Sequence, residues 1–584
     1  MQSSESLALM VSTWISLIAP PDSIRGRFAL GIPATIFPDQ GGWSKGIILR
    51  KPMQPASVLD APPRPGAVRM AELMGAFSIA SDLAFGYQLE DSIRSCYVAM
   101  RLAEAMKLPE AEQRTVFYTA LLKDAGCTCY TSQLASFWAM DEIQARKDVL
   151  VYGEGASALA YIAWVRNNVA AEQPLKARLG HYANVFMRTP KVMADGFATS
   201  CEVAVRVATR LGMPPDIQDA VLNLWEQWDG KGFPSGRRGE ELPISARVVQ
   251  VSFIAVPIYR RYGKDGVAEF TRSQSGRFLD PAVAEAFSEI AGEDDFWAGV
   301  ESNAIWADVL ALEPESDLTW VSESKLDDLS LAMADYIDLK SPYVAAHSRR
   351  VARISEQIAT LLGATAAEIA LTRRAALSHD LGLVGVPSYT LNRPPDQLSR
   401  TEQEQMRLHP YHAERLLAAV PIVAPWAALV GAHEEHVDGS GYFRGLKGRD
   451  IPLGARIIAV ADRVDELTHD APGQPAMELT AAVDVLAAEA GTRLDEEVVA
   501  AVRRCLGAGA APARTPAELP AGLTTREVEV LRLASQGLTR RQIGQRLSIT
   551  ENTVRHHLEH IYGKTETKTR VAATLFAMEH DLLP

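Results

Sequence analysis

From about Met70 onward, apolar residues recur at three- and four-residue spacing, the period of helices that bury one face. Ser92–Met106 and Glu110–Leu122 carry the pattern, and Glu293–Leu312 reads as an acidic helical stretch. Ser341–Gly363 carries it most clearly, with Tyr343, Ala346, His347, Val351, Ile354, Ile358 and Leu362 in register. His347 is therefore expected on or near the buried face of a helix. Near the end of the chain, Thr524-x-x-Glu527 and Thr539-x-x-Gln542 are capping boxes. They predict a helix through Ser535 and a second to Leu547, followed by Glu551–Lys564 and Thr569–His580. Lys51–Pro65 and Gly507–Pro520 are rich in Pro and Ala and read as linkers. The expected fold class is all-α.

A repeat divides the helical region. Lys123-Asp124-Ala-Gly126 resembles Ser378–Gly382 with its histidine removed, at an offset of 256 (380 − 124). Trp228-Asp-Gly-Lys-Gly-Phe-Pro-Ser-Gly236 resembles Val437-Asp-Gly-Ser-Gly-Tyr-Phe-Arg-Gly445, at an offset of 209 (438 − 229). In that second register Glu226 faces Glu435, Pro243 faces Pro452, and Ala246-Arg247 faces Ala455-Arg456. The smaller offset leaves about 47 extra residues (256 − 209) between the two blocks of the first copy. Inserts of this kind usually map to loops.

Length and composition narrow the class. A chain of 584 residues predicts several domains rather than one core. A net charge of −13 argues against nucleic-acid binding over the whole surface, though not within one module. Five cysteines, odd in number, argue against a disulfide framework and fit a reducing cytoplasm. Cys127-Thr-Cys129 lacks the second pair that a zinc site needs. Leu7–Ala19 is too short to span a bilayer, and no basic residue precedes it as in a secretory signal. No membrane partner is expected.

The candidate chemistry lies in the second copy, in the order His347, His379-Asp380, His409, His433-Glu434, Asp462, all in helix-like segments. Imidazole and carboxylate suit Fe, Mn or Zn. Asp380 is the natural bridge between two metals about 3.5–4 Å apart, a pair that polarises phosphoryl oxygens and activates water. The first copy sets Asp91, Lys123, Ser200, Leu224, Trp225 and Phe253 against these ligands, and only Asp124 keeps its type. It is expected to hold no metal. The glycine-rich loop Asp438–Gly448 carries Arg444 and Lys447, which are candidates for phosphate or nucleotide contact.

These pieces resemble the HD-GYP family of all-helical metal-dependent phosphohydrolases, which typically cleave cyclic di-GMP. The resemblance rests on His347-Ser-Arg-Arg-Val-Ala, His379-Asp-Leu-Gly, His409-Pro, His433-Glu-Glu-His-Val-Asp-Gly-Ser-Gly-Tyr442 and Ile451–Asp462. It implies metal ligation by His347, His379, Asp380, His409, His433 and Asp462, with His379 and Asp380 catalytic and Glu434 as a further ligand. Leu383 stands where the family has Lys, and Glu434 where it has a second His. Phe443 replaces the Pro of Gly-Tyr-Pro. Tyr343 replaces the acidic residue of three-metal members, so two metals per chain are expected.

The C-terminal segment predicts two short helices across a tight turn, the helix-turn-helix arrangement. Arg540, Arg541, Arg546, Arg555, Lys564, Lys568 and Arg570 cluster there. Thr539, Arg540, Arg541 and Lys564 are the candidates for phosphate contact, and Thr553, Arg555 and His556 for base edges. Leu523–Leu533, Gln542–Leu547 and Thr550–Lys564 resemble the LuxR-type helix-turn-helix, which implies double-stranded DNA as partner and a homodimer.

The resulting expectation is a poorly ordered extension and linker over 1–69, which could lie upstream of a natural start near Met70. A degenerate HD-GYP-like bundle over 70–315 and an HD-GYP-like domain over 322–506 follow. A linker over 507–520 then leads to a four-helix LuxR-type domain over 521–584. The function expected is a cytoplasmic DNA-binding transcriptional regulator that senses or hydrolyses a cyclic dinucleotide or related phosphoester. Two alternatives stand beside it: a phosphodiesterase with a regulatory DNA-binding tail, and a regulator whose HD domain is inactive.

Overall fold

The computed structural model describes residues 67–146, 158–315, 319–507 and 519–583. The extension before residue 67 and the linker over 508–518 lie outside the described residues. Among the described residues the fold is helical, apart from one two-stranded antiparallel sheet. In it β1 (Ala67–Arg69) pairs with β2 (Trp320–Ser322). The described fold therefore starts three residues before Met70 and ties the start of the first unit to the entry of the second.

The helices used below are α1 (Met70–Phe85), α2 (Asp91–Ala105), α3 (Glu110–Leu122), α4 (Leu175–Arg210) and α5 (Ile244–Gln274) in the first unit. The second unit supplies α6 (Lys325–Asp338), α7 (His347–Leu361), α8 (Ala366–Ser378), α9 (His409–Ala418), α10 (Ala424–Val430), α11 (Leu453–Thr468) and α12 (Glu496–Gly507). The last unit has α13 (Thr525–Ser535), α14 (Arg540–Leu547), α15 (Glu551–Lys564) and α16 (Arg570–Glu579).

Local sequence explains some of these boundaries. Thr365, Ser399, Thr524 and Thr539 each cap a helix while the Glu or Gln three positions on bonds back to the cap. The expected helix at Ser341–Gly363 is shorter than its periodicity implied. Ser341–Ala346 forms turns, and α7 opens at His347 after a left-handed Ala346. The acidic stretch Glu293–Leu312 is likewise two helices, Asp294–Val300 and Ile305–Leu310, not one.

One apolar core runs through the first two units, from Val68 in β1 to Val502 in α12, and takes in Val571, Leu575 and Met578 of α16. A smaller core gathers Trp138, Trp164, Val185 and Phe197 around the inserted residues of the first unit. The last unit has its own core around Val530, Leu531, Ile543, Val554 and Ile561.

The two repeated blocks make matching contacts. Ser92 and Ser348, 256 positions apart, each bond through their amide and hydroxyl to a buried Asp, Asp82 and Asp338 respectively. A Cβ on Gly126 would lie 1.9 Å from the Ser200 carbonyl oxygen, and one on Gly382 would lie 2.0 Å from that of His409. Only glycine lets these turns close onto the neighbouring helix. Buried Glu226 accepts from the amides of Ser235 and Gly236, and buried Glu435 from those of Arg444, Gly445 and Leu446.

Candidate metal centre and nucleic-acid face

Four histidines and three carboxylates meet where α7, the α8 end, α9, the α10 end and α11 converge. They do not all sit inside helices, as the periodicity suggested. His347 and His409 are the first residues of α7 and α9. His379 follows α8 directly, and His433 lies in the turn after α10. Only Asp462 lies in mid-helix, on α11. Candidate ligands at helix ends let five elements approach one point without their axes colliding.

Each imidazole is oriented from behind. The Nδ1–H groups of His379, His409 and His433 donate to the carbonyls of Ala376, Met406 and Val430, at 2.8, 2.8 and 2.6 Å. His347 Nδ1 bonds instead to Asp465 at 2.7 Å, and Arg350 holds that carboxylate from the other side. These bonds fix the tautomers and turn every Nε2 inward. Asp465 was not singled out from the sequence. Its signal was there, one turn after Asp462 on the same helix.

The inward atoms form two groups. In one, His347 Nε2 and His379 Nε2 are 3.3 Å apart, and Asp380 Oδ2 lies 3.5 and 3.6 Å from them. Asp462 Oδ1 completes this group, 3.2 Å from His347 Nε2 and 3.8 Å from His379 Nε2. In the other, His409 Nε2 and His433 Nε2 are 3.0 Å apart. Asp380 Oδ1 lies 3.3 Å, and Glu434 Oε1 3.9 Å, from His409 Nε2. Asp380 thus turns one oxygen to each histidine pair. The triads His347, His379, Asp380 and Asp380, His409, His433 each bring their donor atoms within 4.8 Å of one another.

Electrostatics shows what this arrangement wants. With Nδ1–H spent, neutral rings aim Nε2 lone pairs at each other across about 3 Å, a contact that only a cation between them relieves. Two nitrogens on a tetrahedral metal at ~2.0–2.1 Å lie roughly 3.3 Å apart, so the spacing fits a shared metal. Protons meet the same need in the protein alone. Burial opposes charge on His347, but Asp380, Asp462 and Asp465 hold it well above the usual imidazole range. His379 is likewise raised, to about 9, by Asp380 and Asp462 against its burial. His433 goes the other way, to about 3, through burial and the nearby His409 and His379. Asp380 and Asp462 stay well below the usual carboxylate range because the histidines outweigh their burial.

Other expected residues are placed differently. Glu434 sits at the second histidine pair and bonds to the Tyr442 side chain. Arg444 pairs with Glu414 at 2.5 and 2.6 Å and stacks on Phe443, so its guanidinium is already engaged within its own loop. Lys447 is packed over Gly439. Leu383 is buried in the turn after Asp380.

In the last unit, Thr539 caps α14, and Arg540 and Arg541 are exposed in its first turn. On α15, Arg555 and His556 are exposed and Thr553 is half-buried. Arg555 bonds to Asn552, and Lys564 is held internally by Glu527 and the Gly522 carbonyl. No described helix is long and apolar enough to cross a membrane.

Residues 332–498 match the HD domain family, and residues 521–577 match the family of bacterial regulatory proteins of luxR type. A 3'3'-cGAMP-specific phosphodiesterase 3 of Vibrio cholerae is 28% identical over 437 residues, covering 75% of this chain and 94% of that protein. The crystal structure of a cyclic GMP-AMP specific phosphodiesterase of V. cholerae superposes with a TM-score of 0.52 at 26% identity. That match covers 76% of this chain and 98% of the solved one. The cyclic di-GMP phosphodiesterase response regulator RpfG of Xanthomonas campestris is 31% identical over 208 residues, 35% of this chain and 54% of that protein. The chain thus carries an HD domain followed by a LuxR-type domain.

Proposed function

We propose that this chain, an HD domain joined to a LuxR-type domain, is a DNA-binding transcriptional regulator whose HD domain is a two-metal phosphodiesterase for a 3'3'-linked cyclic dinucleotide. The observation that carries the reading is Asp380, with one oxygen facing His347 and His379 and the other facing His409 and His433. Asp462 would complete the first metal position and Glu434 the second. When bound, a divalent pair of Fe, Mn or Zn supplies Lewis acidity and a water made acidic at neutral pH. The protein's own part is positional. Backbone carbonyls and Asp465 hold the imidazoles in one tautomer, and Asp380 keeps the two histidine pairs in register. The names of the similar proteins support a cyclic dinucleotide as substrate class.

Residues 70–315 are read as a degenerate copy of the same unit. The matched contacts of Ser92 with Ser348, Gly126 with Gly382 and Glu226 with Glu435 support this. So does the length of the V. cholerae alignment, 437 residues against an HD domain of 332–498. In the LuxR-type unit, Arg540 and Arg541 would contact phosphate and Arg555 and His556 base edges, with the chain acting as a homodimer on paired half-sites.

A second reading is a sensor that binds the nucleotide without turnover, favoured by the apolar Leu383 beside Asp380. One experiment separates the two. Purified protein is assayed for metal content and then incubated with 3'3'-cGAMP and cyclic di-GMP. Two metals per chain with a linear dinucleotide product support the enzyme. Two metals and saturable binding without product support the sensor. No retained iron, manganese or zinc overturns both.

A further inference from the structure

The LuxR-type unit is not free of the rest of the chain. Helix α16 is covered on two faces: Ala573, Phe576 and Ala577 belong to its own core, while Val571, Leu575 and Met578 belong to the core of the first two units. Its apolar outer face is seated against α4. Polar contacts line the seat. Glu202 of α4 accepts from the Lys568 amide at 2.8 Å and the Thr569 hydroxyl at 3.0 Å. Arg206 donates to the Thr565 carbonyl at 3.3 Å and pairs with Glu579 at 3.6 Å. Gly537 rests on Pro342, in the turn that leads into His347.

Arg210, at the end of α4, joins three elements. One arm of its guanidinium pairs with Asp335 of α6 and the other with Glu579 of α16. Asp335 is 1% exposed and is shared, because Arg349 donates two nitrogens to it at 2.8–3.1 Å. Arg349 lies two positions after His347 on α7. A single buried carboxylate therefore connects the helix that opens at the metal centre with the arginine that holds α16.

The charge balance gives this seat a direction. Residues 521–584 contain nine Lys and Arg against seven Asp and Glu, a net of +2. The whole chain carries −13, so the remainder carries −15 (−13 less +2). A weakly cationic module held against a strongly anionic body meets DNA under repulsion.

We propose that α4 and α6 form a seat that holds the DNA-binding module shut, with Arg210 as its latch between Asp335 and Glu579, and that opening the latch raises affinity for DNA. The inference rests on reading residues 521–577 as DNA-binding. Shifts of α7 at the centre reach the latch through Arg349 and Asp335, so the state of the HD domain and the release of the module are linked, and linkage is reciprocal.

The test compares full-length protein with Arg210→Gln, Glu579→Gln and the double variant. Hydrogen exchange is followed on α16, and binding is measured to a short fluorescein-labelled duplex of mixed sequence. Thermal unfolding checks that each variant folds. In both single variants the α16 amides should exchange faster, and low-salt affinity should rise by ~10-fold. The gain should shrink as salt rises, and the double variant should gain less than the sum of the singles because both remove the Arg210–Glu579 pair. Unchanged α16 exchange in both single variants overturns the latch. Faster exchange with unchanged affinity overturns the shut state. Absence of duplex binding by every form, wild type included, overturns the DNA-binding reading itself and is recognised by that shared failure.

Discussion

The turn at Asp124 and the turn at Asp380 have one shape and opposite contents. Both follow a helix, both close through a glycine against a carbonyl of the facing helix, and both lie near a buried Ser–Asp pair. Around Asp380 four imidazoles and their lone pairs gather. At Asp124 the neighbouring residue is Lys123, whose buried ammonium pairs with Asp124 and bonds to Ser92. The Phe253 ring lies 5.6 Å from that ammonium, where the second unit has Asp462, and Trp225 packs edge-on to Phe253 where it has Glu434. Asp91, facing His347 in the repeat, is drawn off to Arg260 at 3.0 Å. One region leaves a place for added cations, and the other supplies its own cation and fills the rest with aromatic rings. A helical scaffold of this shape needs positive charge beside its buried Asp, whatever the source of that charge.

The sharpest way to break the comparison is Asp380→Ala. It removes the shared oxygen donor of both groups, so metal content should fall from two per chain to below one and dinucleotide hydrolysis should vanish, by elemental analysis and product chromatography. Retained metal and turnover would mean that Asp380 is not the bridge.

Next in size is Lys123→Met, the same operation on the other side. It strands Asp124 without its partner in a buried site, which should cost about 3–5 kcal/mol in denaturant unfolding. Metal content of the second unit should not change. A variant as stable as the parent would show that the ammonium is dispensable.

Asp465→Asn sharpens the comparison within the metal centre. It weakens the bond that orients His347 and should lower metal affinity by about 10–100-fold, read by competition with a chelator, without unfolding the chain. An equal loss from Arg260→Gln, which lies only in the first unit, would contradict the separation of the two sites.

The smallest effects are expected at the loops that both units share. Glu226→Gln and Glu435→Gln each weaken one carboxylate that ties down backbone amides. Each should cost about 1–3 kcal/mol of stability. Similar losses would mark a common structural element, and a loss at one position alone would divide the two loops.

How much of this was legible follows from the range of each signal. The helices of the LuxR-type unit were readable because capping boxes act within three residues. The expected Glu551–Lys564 and Glu110–Leu122 match α15 and α3 residue for residue. Periodicity misjudged the start of α7, because Tyr343 and Ala346 keep the apolar spacing while the backbone turns. Arg444 looked like a free phosphate contact, since nothing near it in sequence announces Glu414, thirty positions away.

By itself the sequence determined the all-helical class, the two blocks at offsets of 256 and 209, and a set of candidate residues for holding metal. These depend on residue type and spacing along one segment. Tertiary structure alone decided how Asp380 divides its oxygens, which carbonyl stands behind each imidazole, and that Asp465 supports His347. It also decided that Arg210 spans α6 and α16, from residues 125 and 369 positions away. The physical reason is that lone pairs and ion pairs act over a few ångströms in space, between groups whose separation along the chain carries no trace of their contact.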